Sequence, residues 1–169
     1  MFGKVKSLAE LFEIGLSYVY DCECKLVEKG LPTMIEKATS NELKSALQHH
    51  HEETRTHVTR LERVFSIIGK EPNTKTNQIF DQMEGAVKDS ISNIDESSLR
   101  DAALIVNGNI VEHYEMATYG SLAAFARRLG LSEAASLLQQ TLEEEKKADA
   151  KLTEIGEKTL NPQAARRGA

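Results

Sequence analysis

Cysteine is scarce in this chain of 169 residues, proline occurs three times, and no apolar run approaches the length needed to cross a bilayer. The two cysteines, Cys22 and Cys24, stand two apart on a helical stretch, so their side chains diverge. That argues against a disulfide or a metal pair between them and for free thiols, with Cys22 turned inward. No Gly-rich phosphate loop, nucleophile elbow or zinc-type cysteine spacing occurs, which removes nucleotide, serine-hydrolase and zinc-finger chemistry. No segment alternates with period two between turn signals, so strands are not expected. The opening MFGKVKSLAE lacks the apolar segment and cleavage site of a secretory signal, and a cytoplasmic location is the expectation. A net charge of −5, with basic residues scattered rather than striped, argues against nucleic acid as a partner, and no membrane partner is expected.

What the chain does contain is helical periodicity. Ser7 with Glu10 has capping-box spacing, and Leu8, Leu11, Phe12, Gly15, Val19, Cys22, Glu23 and Leu26 then recur at helical intervals. Pro32 should kink or interrupt this helix. Thr39 with Glu42 repeats the cap signature, and Leu43, Leu47, His50, Thr54, His57, Leu61 and Val64 form a seam with Glu53 beside it, ended by Gly69 and Pro72. A weaker stretch holding Phe80, Met83, Val87 and Ile91 reads as a crossover with a short helix. Ser98 with Asp101 opens a third long helix that Gly130 closes, and Ser132 caps a fourth that runs toward Pro162. Four long helices with short loops inside each half and one long middle connection predict an all-α, ferritin-like four-helix bundle. One domain over residues 1–160 is expected, followed by a flexible tail at 161–169, where apolar periodicity is lost.

Acids and imidazoles project from faces otherwise built of Leu, Val, Ile and Ala, where isolated charge is costly. The two halves repeat: Glu23 precedes Glu53 by thirty residues and Glu115 precedes Glu145 by thirty. Four residues on, about one turn, stand His57 and Asp149, and Glu112 lies three before Glu115. Two divalent ions are the economical compensation for such a set. A buried ion-pair network using Arg55, Arg60 or Arg127 is the competing reading. His50 is an alternative ligand ranked below His57, while the rest of the His49–His51 triplet spreads around the helix as surface. Tyr119, one turn after Glu115, suits a hydrogen bond to a ligand carboxylate.

These residues resemble the YciF-type bacterial stress proteins of the ferritin-like superfamily. The likeness covers nearly the whole chain and lies in YVYDCECKL around Glu23, HHHEETRTHVTRLE around Glu53, VEHYEMATYGSL around Glu115 and LEEEKKADAKLTEIG around Glu145. The resemblance implies a di-metal centre of Fe or Mn, with Glu23 and Glu115 as single carboxylate ligands and Glu53 and Glu145 as bridging or chelating acids. Two departures stand out: the His follows Glu53 by four residues rather than three, and Asp149 replaces the second His. The expected metal ligands are therefore Glu23, Glu53, His57, Glu112, Glu115, Glu145 and Asp149, handling iron, oxygen or peroxide. A non-catalytic helical stress module is the alternative. A homodimer is expected in either case, with Phe80, Met83, Val87 and Ile91 as part of its apolar strip.

Overall fold

The structure is a computed structural model that describes residues 4–166. Its elements are α1 (Leu8–Lys25), α2 (Leu31–Lys37), α3 (Asn41–Ile67), α4 (Gln78–Asn93), α5 (Ser97–Arg128), α6 (Ser132–Ile155) and α7 (Asn161–Ala165), and no strand occurs among the described residues. A π-helical turn, Leu26–Gly30, runs α1 into α2, and a second, Gly156–Leu160, runs α6 into α7.

Both π turns come just before a proline. Pro32 and Pro162 lack the N–H that would reach back four residues, and their rings crowd the preceding turn. A wider turn takes up the misfit, with Leu31 N–H donating to Leu26 O and Asn161 N–H to Gly156 O. The first helix is thus continued rather than broken at Pro32. The same device carries the chain beyond residue 160. Asn161–Ala165 is helical with Ala164 buried, in place of the flexible tail expected there; residues 167–169 lie outside the described residues.

Core composition gives the topology. One apolar cluster joins Phe12 and Leu16 of α1, Leu61 and Phe65 of α3, Leu122 and Ala126 of α5, and Ala134 and Leu138 of α6. The other joins Leu26, Leu31, Leu43, Leu47, Leu104, Leu152 and Ile155. Residue numbers rise from the first cluster to the second along α1 and α6 and fall along α3 and α5. The neighbours α1–α3, α1–α5, α3–α6 and α5–α6 are accordingly all antiparallel. The crossover returns the chain along the bundle through α4, giving the ferritin-like connectivity expected from the sequence.

Helix starts follow local hydrogen bonding more than cap motifs. Ser7 caps α1 as expected, its Oγ accepting from Glu10 N at 3.1 Å. For α3 the cap is Ser40, not Thr39, and for α5 it is Glu96, whose carboxylate accepts from Leu99 N at 2.7 Å. Ser132 is the first residue of α6 and makes no cap; Leu131 precedes it without a side-chain bond. Gly69 and Gly130 end α3 and α5 with φ of 68° and 75°, a backbone state that disfavours any residue with a Cβ.

Thr39 and Asp101 are occupied with each other. Asp101 is buried and accepts from Thr39 N (2.8 Å), Thr39 Oγ1 (2.6 Å) and Ser40 N (2.7 Å), which ties the α2–α3 corner to the start of α5. The crossover is held too: Lys25 bridges Asp21 and Asp81 at 2.6 Å each, and Asn77 N donates to Asp21 at 3.0 Å. Phe80 is fully buried, and Met83, Val87 and Ile91 pack on the second cluster, so the strip expected to mediate dimerisation faces inward.

Asp101→Ala should destabilise the protein by about 3 kcal/mol, because two backbone N–H groups lose their acceptor, and lower Tm by roughly 6–12 °C. Thermal unfolding followed by circular dichroism checks this; an unchanged Tm would show that the corner does not depend on Asp101.

Candidate metal centre

Between the two apolar clusters lies a polar layer. Glu23 of α1, His50 and His57 of α3, Glu112 and Glu115 of α5 and Glu145 of α6 are all buried there. Each sits on an inward helix face whose neighbours one turn away are core residues, so packing of those neighbours forces it inside. His50 and His57 are seven residues apart, two turns, and therefore share the α3 seam.

Donor atoms of these side chains gather into two groups. One atom each from His50, Glu112, Glu115 and Glu145 lies within 4.8 Å of the others, and so does one each from Glu23, His57 and Glu145. Glu145 belongs to both. His57 Nδ1 is 3.0 Å from Glu145 Oε1 and 3.5 Å from Glu23 Oε1; His50 Nε2 is 3.2 Å from Glu112 Oε1 and 3.8 Å from Glu145 Oε2. These contacts leave many of the donor atoms without a well-aligned partner. Glu23 Oε2, Glu112 Oε2, Glu115 Oε2, both oxygens of Glu145, His50 Nδ1 and His57 Nδ1 are buried without a hydrogen-bond partner. Buried polar atoms are rarely left so, and seven of them in one layer need a shared partner.

The surroundings hold the donors in place. His57 Nε2 lies 2.9 Å from Glu144 Oε2, and Glu144 is in turn gripped by both terminal nitrogens of Arg60. A carboxylate anchoring one ring nitrogen leaves the other aimed at the centre, the arrangement seen behind metal-binding imidazoles. Tyr119 donates its hydroxyl to Glu23 Oε1, and Cys22 Sγ approaches Glu115 Oε1 at 3.6 Å.

Of the seven residues expected from the sequence, Glu23, His57, Glu112, Glu115 and Glu145 are brought together. Glu53 is not among them. Three residues from His50, it falls at the seam's edge, remains partly exposed, and lies 3.8 Å from His50 Nδ1 and 3.5 Å from His49 Nε2. Asp149 is also outside: one turn beyond Glu145 it faces α5, where Asn109 Nδ2 donates to it at 2.6 Å and His113 Nε2 lies at 3.3 Å. These partners satisfy it away from the centre. His50, ranked below His57 from the sequence, stands fully in the cluster. Glu144 was missed; its neighbour Glu145 carried the seam, and only the i,i+3 pair His57–Arg60 hinted at a carboxylate between them. The arginines of the competing reading go elsewhere: Arg55 pairs with Glu52, Arg127 with Gln139 and Arg60 with Glu144. Among the described residues no Lys or Arg ion pair reaches Glu23, Glu112, Glu115 or Glu145.

Without a cation the layer must hold protons. Burial pushes the Glu115 carboxyl well above the usual range, reinforced by Glu23, Glu145 and Glu112. Burial likewise raises Glu145 to about 8, opposed by its contact with His57 and aided by Glu23. Burial alone would lower the imidazoles, but Glu23 and Glu145 carry His57 up to about 10, and Glu112 carries His50 well up.

Fold and cluster together define an all-helical bundle whose core is split by a buried carboxylate–imidazole layer. The chain belongs to the DUF892 family, described as a domain of unknown function, whose pattern matches residues 7–165. It is 38% identical over 165 residues to Protein YciF of Escherichia coli K12, covering 95% of this chain and 96% of that protein. The crystal structure of the E. coli stress protein YciF superposes with a TM-score of 0.88 at 32% identity, over 93% of this chain and 99% of that one. YcfI of Rhodopseudomonas palustris, provisionally termed a structural protein, gives 0.87 at 34% identity, over 90% and 98%. A Xanthomonas campestris protein at 22% identity and a TM-score of 0.72 shares the fold. No helix among the described residues is long and apolar enough to cross a membrane.

The raised groups set the pH dependence of metal-free protein. Glu145 ionises near 4.5 when unfolded and near 8 when folded, so its ionisation opposes folding increasingly from pH 4.5 to 8. His57 stabilises fully below pH 6.5 and loses that contribution as pH rises through about 10. Both act in one direction: chelator-treated protein should melt at higher temperature at pH 6 than at pH 8.5, and Glu145→Gln should shrink the difference. A Tm that rises from pH 6 to 8.5 would contradict this.

Proposed function

We propose that this protein is a stress-associated di-metal carboxylate protein, its buried layer holding two divalent Fe or Mn ions. The observation that carries the reading is the set of buried carboxylate and imidazole donors, seven of their atoms without a hydrogen-bond partner, that four helices bring into one layer. Glu23 and His57 would hold one ion, His50, Glu112 and Glu115 the other, with Glu145 shared between them. Oxygen and imidazole donors suit Fe and Mn, and two doubly charged ions offset the four carboxylates. Such a pair of redox-active ions supplies two-electron chemistry toward dioxygen or peroxide.

The protein's own part is positioning. Arg60 and Glu144 orient His57, Tyr119 restrains Glu23, and the apolar clusters on either side exclude bulk water from the layer. Association with stress follows the E. coli relative. A non-catalytic scaffold is favoured by the provisional term given to the R. palustris relative, and metal content separates the two readings.

Protein purified without chelator should contain close to two ions of Fe or Mn per chain by elemental analysis. Added Mn(II) should raise Tm by an amount that grows with its concentration, about 2.7 kcal/mol of stabilisation at a hundredfold excess over Kd. Glu145→Gln should abolish that gain, while Asp149→Asn should retain it. Metal-free protein whose Tm ignores both Mn(II) and Fe(II) would leave the scaffold reading standing.

We propose a homodimer as well, formed by a face other than the one expected from the sequence. Leu99, Val106 and Ile110 of α5 are exposed, and the acids between Arg100 and Arg127, namely Asp101, Glu112 and Glu115, are all buried. That leaves a long outer helix face without a carboxylate, suited to a second copy. Sedimentation equilibrium should give twice the chain mass at micromolar concentration, and Val106→Glu with Ile110→Glu should return a monomer; a monomeric wild type would overturn this.

A further inference from the structure

The polar layer is closed on most sides. Glu23 and His57 are wholly buried, and the Arg60–Glu144 pair covers His57 at the α3–α6 seam. One turn along that seam the bundle opens. A cavity of about 600 Å³ lies between α3 and α6 and ends on His50, Glu53 and Glu112. Other cavities, beside Asp101, Arg127 and Asn77, contain no member of the cluster.

Two kinds of donor meet in this cavity. At its inner end His50 and Glu112 are more than nine-tenths buried, and His50 Nδ1 and Glu112 Oε2 lack any hydrogen-bond partner. At its mouth His49 is 77% exposed, four residues before Glu53 on the same helix. Glu53, with 27% of its side chain exposed, stands between them: one oxygen is 3.5 Å from His49 Nε2, the other 3.8 Å from His50 Nδ1.

Resting on the di-metal reading above, we infer that His49 and Glu53 form an outer capture site for a divalent cation, and that the α3–α6 cavity is the route by which the ion reaches the buried layer. The i,i+4 spacing lets an imidazole and a carboxylate close on one ion from the surface. Rotation of the Glu53 side chain then hands the ion to His50 and Glu112, exchanging an exposed nitrogen for buried donors without leaving the ion bare. Ala46, Leu47, Ala148 and Leu152 form the aliphatic part of its walls, with Glu42, Lys147 and Lys151 as the other charged lining residues. Lys151 on the facing wall is engaged by Glu42 at 3.7 Å and Glu154 at 3.3 Å, which reduces its repulsion of an incoming cation. The role of Glu53 in this scheme is transfer, distinct from the bridging role expected of it.

Stopped-flow uptake of Co(II) by chelator-treated protein, followed by the visible absorbance of the bound ion, tests the route. His49→Ala, at an exposed position, should slow uptake at least about threefold while reaching the wild-type stoichiometry, since the capture site affects rate rather than final occupancy. Ala148→Trp, which fills the cavity, should slow it about tenfold or more, whereas Ala150→Trp, on the exposed side of the same helix, should not slow it. Wild-type rates in His49→Ala would overturn the capture site, and wild-type rates in a folded Ala148→Trp would overturn the route. A wild type that binds no Co(II), Mn(II) or Fe(II) would overturn the di-metal reading itself.

Discussion

Four carboxylates and two imidazoles meet in a layer from which water is excluded, and the rest of the structure answers to that charge. An unneutralised carboxylate in such a place is unfavourable by several kcal/mol, more than most single contacts contribute. Neutralisation comes either from protons, on the imidazoles and on Glu115 and Glu145, or from cations. The two solutions would compete: an ion bound there would have to displace protons from groups that burial and neighbouring carboxylates have made reluctant to release them.

This charge also explains the division of the core. Leu, Phe and Ala residues pack into one cluster around Phe12 and Phe65 and another around Leu31 and Leu47, with the polar layer between. Each cluster holds two antiparallel helix pairs in register, and that register decides which donors meet. Features far from the layer serve the same end. Asp101 fixes the α2–α3 corner on α5, and the Lys25–Asp21–Asp81 group fixes the crossover on α1, so neither pair of helices slides freely against the other. The π turns before Pro32 and Pro162 let the outer helices run on past prolines and cover the far end of the second cluster.

The resemblance and the residues both point to a buried carboxylate layer, but the layer is built unlike the pattern carried over. Both imidazoles come from α3, two turns apart, and α6 contributes Glu145 with no imidazole of its own. Glu144 stands behind His57 at 2.9 Å from its outer nitrogen, while Glu53 stands more loosely behind His50, 3.8 Å from Nδ1 and beyond hydrogen-bond reach. The looser of the two faces solvent through the α3–α6 cavity, which makes the layer asymmetric: sealed at the Glu23–His57 end, reachable at the His50–Glu112 end.

The four long helices, the long crossover and the inward setting of Glu23, His57, Glu112, Glu115 and Glu145 were legible in the sequence, because a helix repeats every 3.6 residues and a charged residue in phase with leucines has nowhere else to point. Spacing alone misplaced Glu53 and Asp149. An angular offset of a few tens of degrees separates the seam from its edge, and a side chain one turn along takes whichever partner stands opposite it. For Asp149 that partner is Asn109, forty residues away in the chain; for Glu144 it is Arg60, eighty-four residues away. The caps of α3 and α5 differ from their motifs for the same reason, since Thr39 and Asp101 find each other across the bundle. The sequence by itself determined which faces are buried, because burial follows from local periodicity. Only the tertiary structure decided which buried charges share a centre, because that depends on helix register, set by packing between residues that the chain order keeps far apart.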